Sequence, residues 1–325
     1  MKPFERMKCG MGVGGWMTNY KRVRFLPQDK AFDITIGDRE HFDRYLTYWD
    51  IQNIRSFGMD HIRIPFDQCL IEEYDRPYSY REDMLKLLDR IIGWSMDESL
   101  DVVLNLHHAI GCYCDFAEAS SLLDDEALQK RMIALWEMLE DRYHDLDIAF
   151  EILNEVTTTD AEKWNTLAER CVRALRAKNP TRRIILGSAQ YNSPECLKDL
   201  VTFEDENIAY TFHFYGPGAF THQRTTINQT QYTYNREIPY PGDNSYYKDY
   251  EQFAGGNPAM FDAYPIVGRE YIEDALQSAV QWKKDHPDKV LWFGEFGTIR
   301  HANIQWRENW MRDVIRVAVE NDIPF

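Results

Sequence analysis

Two glutamates stand where apolar runs stop. Glu155 closes Asp147-Ile148-Ala149-Phe150-Glu151-Ile152-Leu153-Asn154-Glu155, and Glu295 closes Val290-Leu291-Trp292-Phe293-Gly294-Glu295. Short apolar runs of this kind read as buried strands, so each delivers a carboxyl to the point where water begins. A pair of carboxyls so delivered is the minimum equipment for hydrolysing a glycosidic bond. Asn154-Glu155 is the only Asn-Glu pair in the chain. The alternative for that pair is a helix N-cap followed by a first-turn acid. Gly294 and Gly297 flank Glu295 and would let the backbone turn sharply there.

Other residues could serve the same chemistry. Arg63 lies inside His61-Ile62-Arg63-Ile64-Pro65, where an unpaired guanidinium would be costly. It needs a carboxylate partner, and an ionised glutamate at the end of the strands is the expected one, a purely structural ion pair being the alternative. His213 and Tyr215 are spaced i, i+2, which puts both side chains on one side of a strand end. His107-His108 follows the run Val102–Leu106, with Cys112 and Cys114 nearby. Adjacent histidines on an extended strand point to opposite faces, so no metal ligand set and no cofactor is assigned.

These residues need a scaffold that brings strand ends together. Strands are expected at Cys9–Val13, His61–Ile64, Val102–Leu106, Ile148–Leu153, Ile184–Leu186, Ile208–Phe212 and Val290–Phe293. Helical patterns fall between them, near Asp43–Phe57, Arg81–Glu98, Asp125–Tyr143, Ala161–Lys178, Pro194–Val201 and Gly268–Asp285, with a last one over about Ile304–Asn321. This alternation implies a parallel sheet with right-handed crossovers, in the α/β class, and points to a (β/α)8 barrel. Only seven strands are visible. The chain reaches Asp322-Ile323-Pro324-Phe325 where an eighth should begin, so the barrel reads as truncated before strand 8. Residues 1–325 read as a single catalytic domain. About 50 residues, 216–267, replace the usual connection of about 2–6 after strand six. Rich in Tyr, Phe, Pro and Gly, they read as a small inserted subdomain over the active-site face that shapes one end of a cleft.

The chain has 325 residues, 44% of them hydrophobic, and a formal charge of −16 from 37 basic and 53 acidic residues. That balance argues against nucleic acid or an anionic membrane as partner and suits a neutral substrate. No uninterrupted apolar leader or membrane-length run is visible, so the protein is expected to be cytoplasmic, or secreted if a leader has been removed. A monomer with reduced thiols is expected, since a chain this large needs no disulfide staples. Aromatic residues make up 14%. Sugars stack on such rings, and Trp16, Tyr20, Tyr113, Tyr191 and Phe220 fall in expected strand-end loops.

Taken together, the blocks Gly14-Gly15-Trp16, Arg63-Ile64-Pro65-Phe66, Leu106-His107-His108, Leu153-Asn154-Glu155, His213-Phe214-Tyr215 and Gly294-Glu295-Phe296-Gly297 resemble glycoside hydrolase family 5, the cellulase A family. Tyr191-Asn192-Ser193-Pro194 and Phe220-Thr221-His222-Gln223 bring the chain nearest the leaderless bacterial endoglucanase C type. The resemblance implies a retaining endo-β-1,4-glucanase acting on β-glucan or cello-oligosaccharides. It implies Glu155 as general acid/base, Glu295 as nucleophile and Asn154 on the sugar 2-hydroxyl. It puts Arg63 and Tyr215 against the nucleophile, with His107, His108, His213, Trp16, Tyr191 and Asn192 lining or supporting the site. The family's tryptophan on strand eight has no counterpart within these residues. A β-mannanase or xylanase of the same family, a barrel that binds carbohydrate without cleaving it, and a metal-dependent barrel hydrolase are the competing readings.

Overall fold

The structure is a computed structural model and describes residues 2–18, 36–113 and 120–325. Its strands are β1 (Gly10–Gly12), β2 (His61–Asp67), β3 (Asp101–His108), β4 (Ala149–Glu151), β5 (Arg183–Gly187), β6 (Ile208–Phe214), β7 (Gly242–Asp243), β8 (Ile266–Val267) and β9 (Val290–Phe296). Seven form one sheet in the order β1-β2-β3-β4-β5-β6-β9, and each neighbouring pair from β1 to β6 is parallel. All seven expected strands are present. Among the described residues no helix is long and apolar enough to cross a membrane, and none of the five described cysteines is in a disulfide.

The connecting helices follow their apolar spacing. Glu82–Asp97 buries Met84, Leu85, Leu88, Ile91 and Ile92, a stripe at three- and four-residue steps, and carries Glu82 and Asp83 in its first turn, where the helix dipole favours acids. Asp125 and Asp160 each cap a following helix by accepting two backbone N–H bonds. Two expected helices are interrupted. The one near Asp43–Phe57 is two, Ile36–Arg44 and Tyr48–Ser56, because Thr47 and Asp50 bond each other and restart the helix. The one over Gly268–Asp285 breaks at Leu276. The short connection at Pro194–Asp199 is a 3-10 helix.

The residues fall into two compact units. One comprises the chain up to Thr211 with Asp288–Trp292 and Phe325; the other comprises Phe212–Pro287 and Phe293–Pro324. In the first, Val103, Ala149, Ile185, Ala209 and Trp292 meet Phe4 and Met7 of the N-terminal segment in a buried apolar cluster. Two residues further along their strands the same face carries Asn105, Glu151, Gly187 and Thr211. Polarity therefore rises along the strands toward their C-terminal ends. The N–H of Phe325 donates to Lys8 O and that of Gly10 to Phe325 O, at 3.1 and 2.7 Å. Phe325 is thus bonded beside β1 through both its N–H and its carbonyl.

The second unit contains residues 216–267. They comprise helices at Gly218–Thr221, Gln229–Tyr234 and Asn244–Ala254, a 3-10 turn at Pro258–Phe261 and the antiparallel pair β7–β8. Tyrosines account for much of their packing. Tyr247 and Tyr240 are fully buried, and Tyr234 stacks edge-on against Tyr250.

Candidate active site

The first unit supplies Glu155 and a buried ion pair behind it. Past Glu151 the chain keeps its place between its neighbours: Ile152 N–H donates to Ile185 O on β5, and Asn154 N–H to Leu106 O on β3. Glu155 follows directly, half-buried. Arg63 Nε and Nη2 grip both carboxylate oxygens of Glu151, at 2.6 and 2.8 Å, and Nη2 also donates to Asn154 Oδ1 at 2.7 Å. Arg63 is 3% exposed and Glu151 0%. This two-pronged geometry is the strong form of an Arg–carboxylate contact. It fixes the Asn154 amide with its oxygen toward Arg63. Glu151 was not singled out from the sequence. The available signal was a second acid four positions before Glu155, in step with Ala149 on the inner face.

The two histidines after β3 divide as their alternation requires. Their rings stand perpendicular, with centroids 4.8 Å apart. His108 is buried and its Nδ1 lies 2.7 Å from Asp67 Oδ1. Asp67 therefore sets the orientation of His108, whereas His107 is only partly buried.

The second unit supplies Glu295. The Tyr215 hydroxyl donates to its Oε2 at 2.9 Å, and His213 Nδ1 lies 3.7 Å from the same oxygen. The i, i+2 spacing thus brings both side chains to one carboxylate. Tyr215 is itself held from behind. Thr221 Oγ1 donates to its carbonyl and shares a hydrogen bond with His222 Nδ1, while the His222 ring meets the Tyr215 ring edge-on at 5.2 Å. Burial holds the His222 imidazole below its ordinary value, which keeps it neutral beside these groups. Thr221 O accepts from Ile299 N–H and Gly216 O from Trp310 Nε1, so the root of segment 216–267 is tied to the chain just after Glu295.

Most expected sugar platforms are corrected by burial. Trp16 is 0% exposed and spends its Nε1–H on Phe42 O. Tyr113 is buried, and Phe220 is buried against Tyr240, with ring centroids 5.4 Å apart. None of the three can lie under a sugar. Tyr20 and Cys114 fall outside the described residues. Tyr191 is 47% exposed. Asn192 is 0% exposed, so it supports structure rather than touching substrate; its Oδ1 accepts from Ser188 N–H.

A sheet of strand–helix units whose C-terminal ends carry these carboxylates and their donors defines a barrel hydrolase of the glycoside-cleaving class. Comparison with known proteins gives the family. Residues 41–325 match the family model described as Cellulase (glycosyl hydrolase family 5). Endoglucanase C of Acetivibrio thermocellus is 36% identical over 97% of this chain and 89% of its own length. Cellodextrinase A of Ruminococcus flavefaciens is 28% identical over 97% of this chain and 82% of its own. The solved structure of Thermotoga maritima Cel5A in complex with cellobiose aligns with a TM-score of 0.73 at 24% identity, covering 98% of this chain and 89% of that one. The chain belongs to the cellulase family, glycosyl hydrolase family 5, and is a glycoside hydrolase with the (β/α)8 barrel fold.

Proposed function

We propose that the chain is a retaining endo-β-1,4-glucanase acting on β-glucan or cello-oligosaccharides, with Glu295 as nucleophile and Glu155 as general acid/base. The observation that carries the assignment is the setting of Glu295: a partly buried strand-end carboxylate accepting from Tyr215, with His213 Nδ1 3.7 Å from the same oxygen. The kinship with endoglucanase C supports the substrate class.

In this mechanism Glu155 gives its proton to the glycosidic oxygen as a Glu295 oxygen attacks the anomeric carbon. The C–O bond to the leaving sugar breaks, and a glycosyl ester forms on Glu295. Glu155, now ionised, takes a proton from water, whose oxygen attacks the same carbon and releases Glu295. Two inversions give net retention. The ester step requires the carboxyls to stand about 5–5.5 Å apart. Glu155 thus serves first as acid and then as base. Asn154, its amide turned by Arg63, offers NH2 to the sugar 2-hydroxyl.

Reducing-sugar release from soluble mixed-linkage β-glucan, mannan and xylan tests the reading. Release from β-glucan is expected to be fastest. Faster release from mannan or xylan would transfer the substrate assignment to that polymer, and no release from any by folded protein would contradict the enzymatic reading.

A further inference from the structure

Three consecutive residues after β5 lie in the left-handed region: Gln190, Tyr191 and Asn192, with φ of 51°, 61° and 59°. None is glycine, and only Asn192 is of a type that visits this region readily. Such backbone strain persists where surrounding bonds over-determine it, and it collects at working sites. Here the bonds lead to Glu155. Gln190 N–H donates to Thr158 O at 3.2 Å and Tyr191 N–H to Val156 O at 3.0 Å, and Val156 is the residue directly after Glu155. The left-handed run aims two successive amides at that segment.

Asn192 locks the run. Its Oδ1 accepts from Ser188 N–H at 2.8 Å, closing the turn on itself, and Ser188 Oγ donates to Ser193 O at 2.7 Å. Its amide lies so close against Gly187 that a Cβ added there would stand 2.6 Å from Nδ2. The glycine at the end of β5 therefore makes room for this side chain.

We propose that Asn192 is a positioning residue for the general acid: it holds the left-handed turn that anchors the Val156–Thr158 backbone and so fixes the Glu155 carboxyl. The proposal rests on the reading of Glu155 as the acid. A misplacement of about 1 Å is enough to slow an enzyme about 100-fold. The loss should fall on substrates that need the proton. A sugar leaving group needs it; a dinitrophenolate does not.

The test compares kcat/KM on a cello-oligosaccharide and on a dinitrophenyl cellobioside for the wild type, Asn192→Ala, Asn192→Asp, Gly187→Ala and Glu155→Ala. Asn192→Ala and Gly187→Ala are expected to lose about 10–100-fold on the oligosaccharide and no more than about threefold on the aryl substrate. Asn192→Asp keeps the acceptor for Ser188 and should show the same split between the two substrates, because its carboxyl is buried without a cation. If Asn192→Ala does not fold, Asn192→Gly takes its place, because glycine adopts positive φ without strain. Equal losses on both substrates in Glu155→Ala would remove the reading of Glu155 itself. A split in Glu155→Ala that is missing from the Asn192 and Gly187 variants would overturn the positioning role and leave Glu155 standing.

Discussion

Glu295→Gln is expected to lower turnover by about 10⁴-fold or more while leaving folding and oligosaccharide binding intact. The amide has the shape of the carboxylate, and its oxygen can still accept from the Tyr215 hydroxyl, so the local structure has no reason to move. What disappears is the nucleophile. A neutral amide does not form the glycosyl ester, and without the ester the two-step route is closed. The check is turnover of a cello-oligosaccharide beside calorimetric binding of the same ligand. Turnover retained within about tenfold in a preparation free of wild-type enzyme would refute the assignment, because an electrostatic role alone survives replacement far better than a covalent one.

Arg63→Met is expected to cost about 3–5 kcal/mol of stability. The substitution leaves Glu151, which has no exposure, without the guanidinium that grips both its oxygens. An uncompensated buried charge is the costly case, much more so than the net worth of the pair. Asn154 Oδ1 loses a donor at the same time, so activity should fall as well. The double variant Arg63→Met with Glu151→Met isolates the cause. Replacing both partners with apolar side chains of similar length removes the stranded charge, and most of the stability should return. Urea denaturation of the two single variants and the double measures this. A double variant no more stable than Arg63→Met would show that packing, rather than the ion pair, sets the cost.

How much of this was legible in the residues depends on the range of the interaction concerned. The seven strands were visible because burial on both faces writes itself as short apolar runs, and the helices because their stripes recur every three or four positions. Tyr215 and His213 could be paired from spacing alone, since alternation along one strand is local. The partner of Arg63 was not legible to the same degree. A carboxylate was required, but the choice of Glu151 depends on how β2, β3 and β4 align, with Arg63 opposite Val103 and Val103 opposite Ala149. Aromatic exposure was the least legible property. Trp16, Tyr113 and Phe220 have the side chains of sugar platforms, yet tertiary packing buries all three. The break at Thr47 was written in Thr47-Tyr48-Trp49-Asp50 and needed only a capping reading in place of a continuous helix. Asparagine at 192 allowed a left-handed turn, but nothing in Gln190 or Tyr191 announces one.

If hydrolysis passes through a glycosyl ester on Glu295, that ester can be trapped. A 2-fluoro-cellobioside with a good leaving group forms the ester quickly and hydrolyses slowly, so digestion and mass spectrometry can find where the sugar is held. One 2-fluorocellobiosyl group is expected on the peptide containing Glu295, with loss of activity in step with labelling. A label on Glu155 or elsewhere would contradict it, as would continued turnover without any label and with inverted product.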